Sequence, residues 1–155
     1  MSERFDIDIF AYVFMDNHYH LLVRARQANL KKAMQWFGTT YTQRFNRRHF
    51  RSGHLFQGRY KSIIAQNDAY LLQLSYYIHR NPLRAGMVNR LVDYSWSSYK
   101  VYAYGHKPPK WLSTDLILSR FAVHHDCHGF YREFVENIRK KYAPAKPEMS
   151  IPQQK

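Results

Sequence analysis

One cysteine in 155 residues leaves no partner for a disulfide within the chain. No apolar run approaches the length of a membrane span; the longest, Ile9 to Met15, has seven residues. The first ten residues, MSERFDIDIF, have no basic segment followed by a long apolar stretch, so no secretory signal is read there. Internal repeats are absent. Acidic residues are scarce: 11 Asp+Glu stand against 24 Lys+Arg, for a net charge of +13. Residues 17–67 contain no Asp or Glu at all. What is present is a 45% apolar share, enough to build a core and to exclude disorder throughout. These features describe a single-domain, cytoplasmic protein with a cationic field that favours nucleic acid or another polyanion.

The acid-free stretch holds ten cations: Arg24, Arg26, Lys31, Lys32, Arg44, Arg47, Arg48, Arg51, Arg59 and Lys61. A solvated helix face usually alternates its signs, and this one does not. Trp36, Tyr41, Phe45, Phe50, Phe56 and Tyr60 are interleaved with the charges. Cations for phosphates and rings for bases are what single-strand binding needs. The plainer alternative is a basic surface over an ordinary core that buries several of those rings.

Residues 7–15 (IDIFAYVFM) and 19–24 (YHLLVR) read as two strands joined at the Asp16-Asn17 turn. Asn29 can cap a helix running to about Asn46, with apolar residues recurring every three or four. A basic loop, 47–58, precedes a third strand expected at 59–66 (RYKSIIAQ). Asn67 caps a helix that should end at about Arg80, before Pro82. Short helices are expected from Ser95 or Ser97 to Tyr104, over 114–121 and over 130–142, with a disordered tail from Ala143. Strand, strand, helix, strand, helix makes an α+β fold with one antiparallel sheet.

His18 and His20 flank Tyr19; residues i and i+2 of a strand share a face, so both imidazoles can converge on one divalent metal. Read alone, they are equally a hydrogen-bonded pair beside a turn. On the helix after Asn67, Tyr70, Leu74, Tyr77, Ile78 and Asn81 fall on one side, with Tyr76 opposite. Tyr77 can therefore share a face with the polar Asn81, or serve as a core tyrosine. His124-His125-Asp126-Cys127-His128 lacks the spacing of a zinc module and reads as a polar link before the last helix. Trp96, Trp111 and Phe121 read as packing anchors.

The segments AYVFMDNHYHLLV, GHLFQGRYKSI, YLLQLSYYIHRNPLRAGMV and DYSWSSYKVY resemble the REP-associated tyrosine transposases, of the HUH single-tyrosine superfamily of bacterial insertion sequences. The likeness runs from about Phe10 to Leu118. It implies a ferredoxin-like HUH domain over 1–105, a helical extension over 106–142 and the tail over 143–155. It implies that His18, His20 and Asn81 hold Mg²⁺ or Mn²⁺ and that Tyr77 is the nucleophile. The expected activity is cleavage and rejoining of single-stranded, hairpin-forming DNA through a 5′-phosphotyrosine link. Arg44, Arg47, Arg48, Arg51, Arg59 and Lys61 are the expected DNA contacts. A homodimer is one arrangement the resemblance allows. The family pattern sets a further strand and helix ahead of FAYVFM, whereas this chain starts nine residues before it. A truncated N-terminus with an open sheet edge is therefore expected. A non-catalytic DNA-binding remnant is the alternative function.

Overall fold

A computed structural model describes residues 1–65, 67–123 and 125–137. The elements are α1 (Ser2–Phe5), β1 (Ile7–Phe14), β2 (Tyr19–Ala25), α2 (Leu30–Arg48), α3 (Asp68–Arg84), a 3-10 turn (Leu91–Asp93), α4 (Tyr99–Tyr104), α5 (Asp115–Leu118), a second 3-10 turn (Ser119–Phe121) and α6 (Cys127–Asn137). They divide into two compact units, one of residues 1–8 and 23–62, the other of 9–22 and from 63 onward. The expected tail from Ala143 lies outside the described residues.

The architecture is α+β, and the sheet is an antiparallel hairpin. β1 pairs with β2, and the Met15 amide donates to the His18 carbonyl across the Asp16-Asn17 turn. Two strands form among the described residues, not three. Residues 59–65 have strand-like composition but no ladder partner, and Ile64 is 81% exposed. Strand propensity becomes a strand only where a neighbouring backbone is free to pair. β1 has its other hydrogen bonds taken by segments distant in sequence. The Phe14 amide donates to the Trp96 carbonyl, the Ser98 amide to the Tyr12 carbonyl and the Ser113 amide to the Ile9 carbonyl. Tyr94 and Tyr102 donate their phenols to the carbonyls of Phe14 and Phe10.

In the unit of residues 1–8 and 23–62, α2 outruns its expected end at Asn46 by two residues. Asn29 stands at its N-terminus but does not cap it; the side chain donates instead to the Phe5 carbonyl at 2.9 Å. Phe37, Tyr41, Phe45 and His49 recur every four residues and touch in sequence along the helix, with Phe56 against Tyr41. The helix ends with the Arg51 amide reaching back to the Asn46 carbonyl at 2.9 Å, which puts Phe50 in the left-handed region at φ 51°. That conformation costs a non-glycine residue about 1–2 kcal/mol.

The unit of residues 9–22 and 63 onward holds the larger core. Phe10, Ala11, Val13 and Leu22 of the hairpin pack with Ile78 of α3, Tyr99 and Tyr102 of α4, Ile117 of α5, and Tyr131 and Val135 of α6. Asn67 caps α3, its Oδ1 accepting the Tyr70 amide at 2.8 Å. α3 does not stop at Arg80. It runs through Pro82 to Arg84 and closes with the Met87 amide on the Pro82 carbonyl, around Gly86 at φ 69°. An interior proline costs about 3 kcal/mol or more. Here it removes one helical bond, in the last turn, and the ring is fully buried.

His79 of α3 is 1% exposed and lies at the centre of this core. Its Nε2 is 2.7 Å from Ser98 Oγ and its Nδ1 is 2.7 Å from Tyr131 Oη. Ser98 Oγ accepts the Tyr12 amide at 2.9 Å, and Tyr131 donates on to Ser75 at 3.3 Å, which donates to the Leu72 carbonyl at 2.8 Å. A neutral ring protonated on Nδ1 satisfies every member of this chain in one direction. Burial lowers the His79 pKa from 6.5 to about 3. The unfolded chain therefore takes up this proton first. The stability tied to the neutral ring is complete above about pH 6.5 and is lost as pH falls toward 3. The loss approaches about 1.4 kcal/mol per pH unit. The fall in Tm between pH 7.5 and pH 5 should be smaller in His79→Gln than in the parent chain; equal falls would mean that the buried ring does not resist protonation.

Candidate active site

The hairpin turn delivers two imidazoles to one place. His18 sits in the turn, exposed, and His20 follows on β2, half-buried. Their ring centroids are 5.0 Å apart and their planes perpendicular. His18 Nδ1 lies 2.6 Å from the Asn17 side-chain oxygen. With Nδ1 as the donor, Nε2 keeps a free lone pair. Burial, and then the neighbouring His18, lower the His20 pKa from 6.5 to about 4, so this ring is neutral near pH 7.

α3 supplies the third ring. Tyr77 meets His20 edge-on, with centroids 5.6 Å apart at 83°. Tyr76, next to it in sequence, points elsewhere and packs on Phe134 of α6 and under the Arg80 guanidinium. One turn beyond Tyr77, the Asn81 amide donates to the Tyr77 carbonyl at 2.8 Å. Its Oδ1 has no hydrogen-bond partner among the described residues. Two turns beyond, the Arg84 guanidinium lies over the Tyr77 ring, 5.1 Å from its centroid. Arg84 is exposed, and none of its N–H donors meets a carboxylate among the described residues. Its relation to Tyr77 is the i, i+4, i+7 count carried one step past Asn81. The expectation that the helix stops before Pro82 hid it.

Imidazole nitrogens and amide oxygens are, as donor types, suited to a divalent ion of intermediate hardness. No group of three His, Cys, Asp or Glu suited to a metal occurs among the described residues. The second histidine cluster belongs to the α6 start instead. Asp126 accepts the Gly129 amide and His128 faces the Tyr102 carbonyl at 2.8 Å, while His124 lies outside the described residues.

Two of the three aromatic anchors behave differently from expectation. Phe121 does pack, against Tyr131 and Phe134. Trp96 is 68% exposed, because its carbonyl and not its indole engages β1. Trp111 leans on Tyr12 at 5.3 Å and stays 40% exposed.

Arg44, Arg47, Arg48, Arg51, Arg59 and Lys61 are all exposed, in the unit of residues 1–8 and 23–62, and none is paired with a carboxylate among the described residues. Arg24 and Arg26 are different. Both engage Asp8, at 2.7 and 3.1 Å. Burial alone would raise the Asp8 carboxyl, but the hydrogen bonds from Arg26 and Arg24 hold it below its ordinary pKa.

A helix whose cations have no carboxylate partners among the described residues is a feature of proteins that act on nucleic acid. The sequence model of the IS200-like transposases matches residues 1–81, more than half of the 155, and the chain belongs to that family. Its function class is therefore DNA transposition, and its partner is DNA. No curated protein and no solved structure matches the chain. No helix among the described residues is long and apolar enough to cross a membrane.

Proposed function

We propose that this transposase cleaves and rejoins single-stranded, hairpin-forming DNA, with Tyr77 as the nucleophile. The observation that carries the reading is the approach of the Tyr77 ring to the His18–His20 pair. His18, His20 and Asn81 would hold Mg²⁺ or Mn²⁺, using the lone pairs left free by the Asn17 contact, by the neutral state of His20 and by the Asn81–Tyr77 hydrogen bond. A bound divalent ion would polarise the scissile phosphate and offset charge on it.

The Tyr77 oxygen attacks phosphorus and its proton passes to solvent. The bond to the 3′ oxygen breaks and that oxygen takes up a proton from solvent, leaving a 5′-phosphotyrosine and a free 3′-hydroxyl. Attack by another 3′-hydroxyl reverses the exchange and rejoins the strand. One phosphodiester is traded for another, so no ATP is consumed. Arg84 orients the phenol through its ring face and keeps planar donors for phosphate oxygens, where charge develops in the transition state. Arg44, Arg47, Arg48, Arg51, Arg59 and Lys61 bind phosphates of the DNA backbone.

The test is a single-stranded hairpin oligonucleotide incubated with the protein and Mn²⁺, then run on a denaturing gel. A covalent adduct is expected with the parent chain and with Tyr76→Phe, and none with Tyr77→Phe or with EDTA. Arg84→Ala should slow adduct formation by about tenfold to a hundredfold with little change in binding. A native-gel shift without any adduct would overturn the reading in favour of a non-catalytic DNA-binding remnant.

A second measurement concerns the basic helix. Neutralising Arg44, Arg47 and Arg48 together should flatten the dependence of log K on log salt by about 2, given roughly 0.7 per single-strand phosphate contact. An unchanged slope would remove these three from the interface.

A further inference from the structure

Helices α2 and α3 end in the same way. In each, an amide reaches back five residues at 2.9 Å, Arg51 to Asn46 and Met87 to Pro82, around a residue in the left-handed region. In α3 that residue is Gly86, and α4 likewise ends on Gly105 at φ 65°. Glycine is the ordinary occupant because it has no Cβ to clash. In α2 the position is Phe50. The other non-glycine residue with positive φ among the described residues is Asp6, a type that tolerates the conformation.

Phe50 gains nothing from the fold in return. Its ring is 98% exposed. The segment is anchored, since the Asn46 side chain donates to the Gly53 carbonyl at 2.9 Å just beyond the tip. The neighbours Arg47, Arg48 and Arg51 are exposed and without carboxylate partners among the described residues. A strained aromatic held out from the surface beside guanidinium groups without carboxylate partners is placed to meet a ligand. That ligand combines a flat apolar face with negative charge, which describes an unpaired nucleobase and its phosphate.

We infer that Phe50 is a base-stacking residue, on which an unpaired base of the bound strand rests while Arg47, Arg48 and Arg51 take the adjoining phosphates. The inference rests on the reading of the α2 arginines as DNA contacts. An anionic lipid surface is the other partner such a tip could meet, and DNA is favoured because the family acts on DNA.

The experiment uses the full chain with Phe50→Gly and Phe50→Trp, and single-stranded DNA carrying 2-aminopurine. Phe50→Gly relieves the backbone, so it should raise Tm by about 3 °C. The same variant should weaken single-strand binding by about tenfold, lose the change in 2-aminopurine fluorescence and keep the parent salt slope. Phe50→Trp should restore both affinity and the fluorescence change. Parent-like affinity or fluorescence in Phe50→Gly overturns the role of Phe50 and leaves the DNA reading standing. Failure of the parent chain to bind single-stranded DNA overturns both. A Phe50-dependent association with anionic vesicles and not with DNA would assign the tip to a lipid surface. No rise in Tm would overturn the strain on which the argument stands.

Discussion

The neutral imidazole of His79 is the contact on which the site-bearing unit depends. Apolar packing alone brings α3, α4, α6 and the hairpin together but leaves them free to slide by small amounts. A buried polar group does not have that freedom, since an unmet hydrogen bond in the core costs about 1–3 kcal/mol. His79 therefore holds three elements to defined positions. Through Ser98 it reaches the β1 backbone at Tyr12, through Tyr131 it reaches α6, and it belongs to α3 itself. Tyr77 lies two residues earlier on the same helix, on the side that meets His20. The edge-on approach of those two rings rests on the fixed placement of α3 against β1. The proton state matters for the same reason, because burial without a counter-charge keeps the ring neutral and the chain of donors ordered.

The C-terminal half completes what the hairpin cannot supply. Two strands are a marginal sheet in water. β1 meets this by bonding to Trp96, Ser98 and Ser113 along its backbone and by accepting the phenols of Tyr94 and Tyr102. α6 is tied in turn by Arg80, which donates to the carbonyls of Val135 and Glu136, and by the Tyr99 phenol on the Glu136 carboxylate at 2.5 Å. Burial, and then that hydrogen bond, push the Tyr99 phenol well above its ordinary pKa. Tyr99, Tyr102 and Tyr131 thus act as structural donors, and the half-buried Tyr77 is set apart from them by where its ring lies.

The parts of this arrangement legible in the sequence are the local ones. His18 could be paired with His20, and Tyr77 with Asn81, because strand and helix periodicity assign faces without knowledge of the fold; the joining of the two pairs into one site came from the family resemblance, and the structure adds the contact of Tyr77 with His20. The same counting failed where a local rule met a tertiary one. Pro82 argued for a helix end, but burial of its ring and the closure at Gly86 carry the helix on to Arg84, and with it the cation over Tyr77. RYKSIIAQ has the composition of a strand, but pairing depends on a free edge, which composition does not encode. Trp96 was expected to be buried on the strength of its side chain, and the fold uses its carbonyl. The His79 chain joins residues up to 86 positions apart, and no spacing announces it.

Charge is the property that passes from sequence to structure with least change. The acid-free stretch could have been neutralised by carboxylates from elsewhere in the chain. Asp8 does this for Arg24 and Arg26 and for no others among the described residues. The cations of α2 keep their sign bias in the folded protein. Screening limits their reach to about 8 Å at physiological ionic strength, so they act on what they touch or nearly touch. Arg44 to Arg48 span only about 6 Å of helix axis, within that distance, and therefore present one combined field. Such a field holds a phosphate backbone without regard to sequence. On the reading proposed for this helix, discrimination among strands would come from uncharged groups beside the arginines, of which the Phe50 ring is 98% exposed.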